Sequence, residues 1–399
     1  MSICGCAAVA PIDKRATDLN LGIGAAVNRG ILLNLVRSSK SEPLYFISMS
    51  AAHGTATGDF KLGLPPITLG PRQTALQRQF IFGTAGTSIF DNNMTTSFDV
   101  GVLNSKDFYA GMMTPLQLSD VNLLLNQGYS RELVLLLVIE SLKVTDVTNL
   151  KPGEDESHAR SLIFYNDPRN RLFSDVSASG LKVASFEGFI YEAMTHGLTT
   201  EAFVAAVEPP PASTTTESAG SAPGLKVYIS NAPTVAPTKV QVRLCYDYAL
   251  ATPKGRLDFQ PNSPRCGAGT TTPEQEKARS AKLPVVLEGR KLEIEVKTRS
   301  IFGIFRYLGE LIRNSDMDKV HLHHYDDLPA ETTQDSQLLT IAHRSDDCFV
   351  SASYEGEKYC VPQANEDNTK QIFTILNSLL ALKTSPGDLP ITQSVRLTP

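Results

Sequence analysis

The stretch Val320-His321-Leu322-His323-His324-Tyr325-Asp326-Asp327 comes closest in residue type to metal chemistry. On a strand successive side chains alternate, so His321 and His323 share one face, two residues apart, a spacing that can ligate one ion. Asp326 or the distant His343 would complete a set. No established metal motif matches, and the competing reading is a polar strand edge entering an Asp-rich turn. The sequence therefore calls for no cofactor, and a metal-dependent hydrolase using His321 and His323 stands as an alternative function.

Other reactive patterns fail on inspection. Gly22-Ile23-Gly24 lacks a third glycine and follows no strand, so it is not a dinucleotide fingerprint. Gly83-Thr84-Ala85-Gly86-Thr87-Ser88 has no phosphate-binding lysine. Gly86-Thr87-Ser88-Ile89-Phe90 lacks the closing glycine of a nucleophile elbow. Lys151-Pro152-Gly153-Glu154-Asp155-Glu156 is acidic without the alternation of a calcium loop. The expectation is a chain without catalytic residues.

The cysteines carry more. Ile3-Cys4-Gly5-Cys6 looks like a bacterial lipobox, in which small residues precede the thiol that accepts diacylglycerol. Cys6 would be the lipid anchor. The basic and apolar leader that such a signal needs would lie upstream of Met1. The alternative is an ordinary frayed N-terminus with two free thiols. Cys245, Cys266, Cys348 and Cys360 all fall in the C-terminal half, which suits an oxidising compartment. Three pairings are open. Cys348 and Cys360 flank a hairpin turning at Glu355-Gly356. A two-residue turn sets Cys360 opposite Ser351, so the two thiols point to opposite faces. Cys245 with Cys266 is the favoured pairing, and buried free thiols are the alternative.

These groups sit on an α+β framework of mixed helices and mainly antiparallel sheets. A chain of 399 residues exceeds one ordinary core and fits two lobes. The divisions read as a tether over 1–12, an N-terminal lobe over 13–207, a Pro/Thr/Ser-rich linker over 208–224 and a C-terminal lobe over 225–399. A net charge of −5 without a basic stripe argues against nucleic acid. No apolar run reaches the ~18 residues of a spanning helix, so a membrane would be met through the lipid alone. The longest run, Leu133 to Ile139, lies in a predicted helix over 130–142.

Apolar Leu19, Ile23, Val27, Ile31 and Leu35 predict one long helix over 11–39. Gly22, Ala26 and Gly30 form a second stripe four apart, where another backbone can approach closely. That contact lies either within the chain or between subunits. Strands are predicted over 96–103, 160–165, 240–248, 292–297 and the Cys348 hairpin. Helices are predicted over 115–126, 186–196, 199–207, 301–313 and 367–383.

Several phrases belong together. Asn34-Leu35-Val36-Arg37 leads to Glu42-Pro43-Leu44-Tyr45-Phe46; Arg299-Ser300-Ile301-Phe302-Gly303 and Leu379-Leu380-Ala381-Leu382-Lys383 follow. Together they resemble large uncharacterised bacterial envelope proteins, often preceded by a lipoprotein signal. The resemblance implies an address, the outer membrane or periplasm, and no activity. The expected function is that of a non-enzymatic envelope lipoprotein. It would act through contacts with other subunits, including copies of itself. A cytoplasmic scaffold or binding protein is the remaining alternative.

Overall fold

The computed structural model describes residues 12–56, 78–81, 94–103, 105–150, 159–168, 186–205, 239–251, 259–261, 265–267, 282–287, 289–314, 321–322, 336–343, 346–364, 367–383 and 395–396. Helix α1 spans Ile12–Ser39, followed by strands β1 (Phe46–Ala56), β2 (Arg78–Ile81) and β3 (Met94–Leu103). Helices α2 (Lys106–Met113), α3 (Leu118–Asn126) and α4 (Arg131–Val138) lead into β4 (Ile139–Asp146) and β5 (Arg160–Tyr165). Next come α5 (Phe186–Thr195), β6 (Leu198–Ala205), β7 (Lys239–Tyr246), β8 (Phe259–Pro261), β9 (Lys282–Leu287) and β10 (Arg290–Thr298). The chain continues through α6 (Ile301–Arg313), β11 (His321–Leu322), β12 (Ser336–Gln337), the hairpin β13 (Cys348–Tyr354) and β14 (Glu357–Pro362), α7 (Asp367–Lys383) and β15 (Val395–Arg396). The fold is α+β, with mainly antiparallel pairing among the described strands; β15 runs parallel to β2.

The chain divides into two compact units, but not along the expected linear boundary. The first comprises residues 1–115, 300–321 and 336–399; the second comprises 116–299 and 322–335. The division at 208–224 is corrected by one register. Strands β6 and β7 pair antiparallel from Leu198 opposite Tyr246 to Ala205 opposite Lys239. The Pro/Thr/Ser-rich stretch thus joins two partners of one ladder inside the second unit. A polar insert between paired strands has the same composition as an interdomain linker, because neither buries apolar area.

In the first unit the C-terminal third of α1 supplies Ile31, Leu32, Leu35 and Val36 to a core with Phe46, Phe108, Phe305, Ile372, Phe373 and Leu376. Each such side chain contributes about 1.5–3 kcal/mol by leaving water. Phe46 meets Phe108 and Phe305 edge-on at 5.5 and 5.4 Å. Helix α1 packs closely on α6 because Gly309 has no side chain: a Cβ there would lie 2.5 Å from Ser38 Oγ. Ser300 caps α6, accepting from the Gly303 amide at 3.0 Å. After α1 the chain turns into β1 through Asn34, whose Nδ2 donates to the Tyr45 carbonyl and whose Oδ1 accepts from the Tyr45 amide.

In the second unit β5-β4-β10-β9-β8 form one sheet, whose apolar face carries Leu142, Val144, Phe164, Leu283, Val285, Leu287, Leu292 and Ile294. Every residue of α4 is buried. The helix expected over 130–142 ends at Val138, and the chain passes directly into β4. An apolar run satisfies helix and strand alike when both faces are buried, so periodicity does not mark the switch. The stop is imposed by tertiary partners. Arg299 Nη1 donates to the carbonyls of Leu136, Leu137 and Ile139 at 3.1, 3.0 and 2.7 Å. These are the orphan carbonyls of a helix end, and a cation there complements the helix dipole.

Of the helix expected over 199–207, the described residues 199–205 belong instead to strand β6, Leu198–Ala205. Thr199, Thr200, Phe203 and Val204 favour a pleated surface, and the partner β7 decides the outcome. Pro115 lies outside its expected helix and bridges to Ser300.

Candidate functional site

Cys6 and His323 lie outside the described residues, as do Asp326 and Asp327. His321 begins β11, but its side chain is likewise outside the described set. His343 is exposed, with its ring on that of Tyr359 at 5.0 Å between centroids.

Cys245 and Cys266 are joined by a disulfide with Cα atoms 5.1 Å apart. Cys348 and Cys360 are joined as well, with Cα atoms 5.6 Å apart. The second bond corrects the expectation that these two point to opposite faces. Cys360 does sit opposite Ser351, but the ladder shifts between Cys348 and Val350. The extra residue reverses the alternation beyond it, and Cys348 turns to the face of Cys360.

One group of metal-capable atoms occurs among the described residues. The Glu201 carboxylate and the sulfurs of Cys245 and Cys266 lie within 4.8 Å of one another. Both sulfurs are already bonded to each other. Glu201 Oε1 accepts from Arg243 Nε at 2.7 Å and Nη2 at 2.6 Å, and Oε2 accepts from the Gly267 amide at 2.6 Å. Arg243 is buried and lies over the Phe203 ring at 4.9 Å. A guanidinium in this place disfavours a second cation. The group organises the Cys266 loop, whose Gly267 has φ +74.

A second cluster joins the end of α1 to the β13–β14 hairpin. Arg37 lies over the rings of Tyr45 and Tyr354 at 5.1 and 5.6 Å. Lys40 Nζ contacts Glu355 at 2.5 Å, and this hydrogen bond raises the Lys40 pKa above its ordinary value. Tyr354 donates to Glu42, which pushes the Tyr354 phenol up. Tyr359 donates to Glu357 at 2.6 Å. That bond holds Glu357 below the carboxylate range, while burial and the same bond raise Tyr359. Every shift favours the protonation state already present at neutral pH. A base or nucleophile poised for chemistry needs the opposite, so the cluster fastens the hairpin to α1.

The remaining feature is the open part of α1. Residues 18, 22, 25, 29, 32 and 36 follow steps of four and three, one line along the helix. Leu32 and Val36 on this line are fully buried in the first unit. Asp18, Gly22, Ala25 and Arg29 on the same line are exposed. Leu21 beside them leaves 67% of its surface open. A Cβ added at Gly22, Gly24 or Gly30 would meet nothing within 4 Å, and Ala26 and Gly30 are only partly covered. Among the described residues, then, nothing in the chain packs closely against the small-residue stripe. The sequence pattern found Gly22, Ala26 and Gly30. It missed Asp18, Ala25 and Arg29, which the mixed four-and-three spacing would have revealed.

The chain matches no family model, no curated protein and no solved structure. No helix among the described residues is long and apolar enough to cross a membrane.

Proposed function

We propose that this chain is a non-enzymatic cell-envelope protein, tethered through an acylated Cys6, that works as a subunit of an oligomeric assembly. Its docking element is the N-terminal part of α1. The observation that carries this reading is the uncovered line from Asp18 to Arg29, continuous with a line buried from Leu32 onward. Gly22 on this line costs about 1 kcal/mol relative to alanine, and a partner backbone lying against it offsets that cost. The two disulfides suit an oxidising compartment, and the lipobox-like start supports the tether.

The test is the native size of the protein, extracted from its own cells with mild detergent. The reading expects a species larger than one chain, and a shift to smaller size on Leu21→Glu with Ala25→Glu. A single-chain species for the unaltered protein contradicts it. Mass spectrometry of the native N-terminus checks the tether: acyl chains on Cys6 are expected, and an unmodified Met1 on abundant protein removes it.

A further inference from the structure

The geometry points to a second copy of this chain as the partner, with the two α1 helices crossing antiparallel about residues 23 and 24. This rests on the reading of the open α1 face as an interface, and adds the identity and direction of the occupant.

The exposed line reads the same in both directions once charge sign is inverted. Asp18 and Arg29 flank Gly22 and Ala25, and each lies about five or six residues from the midpoint of the line. In an antiparallel pair Asp18 of one copy faces Arg29 of the other, twice, and Gly22 faces Ala25, twice. This is the self-complementarity that a two-fold interface requires. A parallel pair would set Asp18 against Asp18 and Arg29 against Arg29. Within one helix the two residues are about 16 Å apart along the axis, so they cannot neutralise each other. No described side chain pairs with either.

The small residues fit the same arrangement. At Gly22 the space beyond the backbone is open and Ala25 carries only a methyl group, so a second helix can approach to the short end of the usual separation of about 8–10 Å. The contact is bounded: from Ile31 on, the chain's own core occupies this side of the helix. Residues 17–30 of each copy are therefore the paired segment, about four turns. An interface of that length falls at the low end of specific contacts, so the pair forms and dissociates readily.

Sedimentation of the full chain tests the pairing through charge. Asp18→Arg sets the introduced guanidinium against Arg29 of the other copy, at both ends of the contact. Arg29→Asp sets the introduced carboxylate against Asp18 of the other copy, again at both ends. Each alone should weaken self-association by about tenfold. The double variant, and an equimolar mixture of the two single variants, should restore it. A photo-crosslinking side chain at Leu21 should trap residues near Ala26 of the second copy. Self-association unchanged by either single swap, with crosslinks outside α1, overturns the pairing while leaving an oligomeric subunit. Crosslinks from Leu21 to Leu21 overturn the antiparallel direction. A chain that stays single at all concentrations overturns self-pairing, and the native size decides separately whether another protein takes the face.

Discussion

Arg299 and Asn166 donate to the same carbonyl, that of Leu136, at 3.1 and 2.7 Å. Asn166 Nδ2 also reaches the Ile139 carbonyl at 2.9 Å, and Arg299 Nη2 donates to the backbone carbonyl of Asn166. The pair closes the end of α4 at the point where the chain becomes β4. Arg299 is buried, so its donors have no route to water. Replacing it with methionine keeps the bulk of the stem and withdraws a charged donor from each of these carbonyls. The expected loss is about 3 kcal/mol or more, since a hydrogen bond to a charged group contributes about 1.5–3 kcal/mol. Urea denaturation checks this, and a change under about 0.5 kcal/mol would refute the role. Asn166→Ala should cost about 1–3 kcal/mol by the same reasoning.

Gly309 and Gly22 should respond oppositely to alanine. At Gly309 the new Cβ meets Ser38 Oγ at 2.5 Å and the Ser38 carbonyl carbon at 2.7 Å. Backbone cannot rotate away, so α6 must shift from α1 at a cost of about 1–3 kcal/mol. At Gly22 the Cβ enters open space, and alanine should stabilise the isolated chain by up to about 1 kcal/mol. Thermal unfolding of both variants at low concentration separates them. Stabilisation at Gly309 would show that α1 and α6 are not packed as described.

The α1–hairpin cluster should loosen at both ends of the pH range. Glu357 is held below its ordinary value of 4.5 by Tyr359. Its contribution is present above 4.5 and is lost as pH falls through the lower folded value. Lys40 is raised above 10.5, and Tyr354 and Tyr359 above 10.0. Their contributions are present below those values and are lost as pH rises through the folded ones. Glu355, Glu42 and Glu357 are the partners whose bonds to Lys40, Tyr354 and Tyr359 are broken in alkali. Protection of the amides over 354–359, relative to an unfolded chain at the same pH, should be greatest between these limits and fall outside them. A profile flat from acid to alkali would contradict the assignment.

The two disulfides close loops of 21 and 12 residues of sequence separation. Constraining the unfolded chain by loops of this length contributes about 3 kcal/mol each. Cys245→Ser with Cys266→Ser should also release the Gly267 amide from Glu201, leaving Arg243 with a less constrained partner. Thiol labelling of the denatured, unreduced chain should find none of these four cysteines reactive. Labelling of all four would contradict both bonds.

Elements bounded by clear chemistry were legible from the residues. Helix α7 over Asp367–Lys383 and α6 over Ile301–Arg313 follow amphipathic stripes with polar starts. The switch at Val138 was not legible, because its cause is Arg299, distant in sequence. The pairing of β6 with β7 was hidden by a long polar insert that reads as a boundary. The Cys348–Cys360 bond was hidden by a ladder shift that alternation does not encode. For the proposed interface, the glycine stripe is readable in the sequence, whereas its charged ends emerge only from the mixed four-and-three spacing. Whether the chain covers that stripe itself depends on packing, which periodicity does not carry.

The central claim is that α1 is covered by protein from Asp18 to Arg29 in the working state. Hydrogen exchange of the full chain, followed over a wide concentration range, addresses it directly. Amides of residues 17–30 should gain protection as concentration rises, while those of 31–39 stay constant. Equal, concentration-independent exchange across both segments would mean that no second copy covers this face.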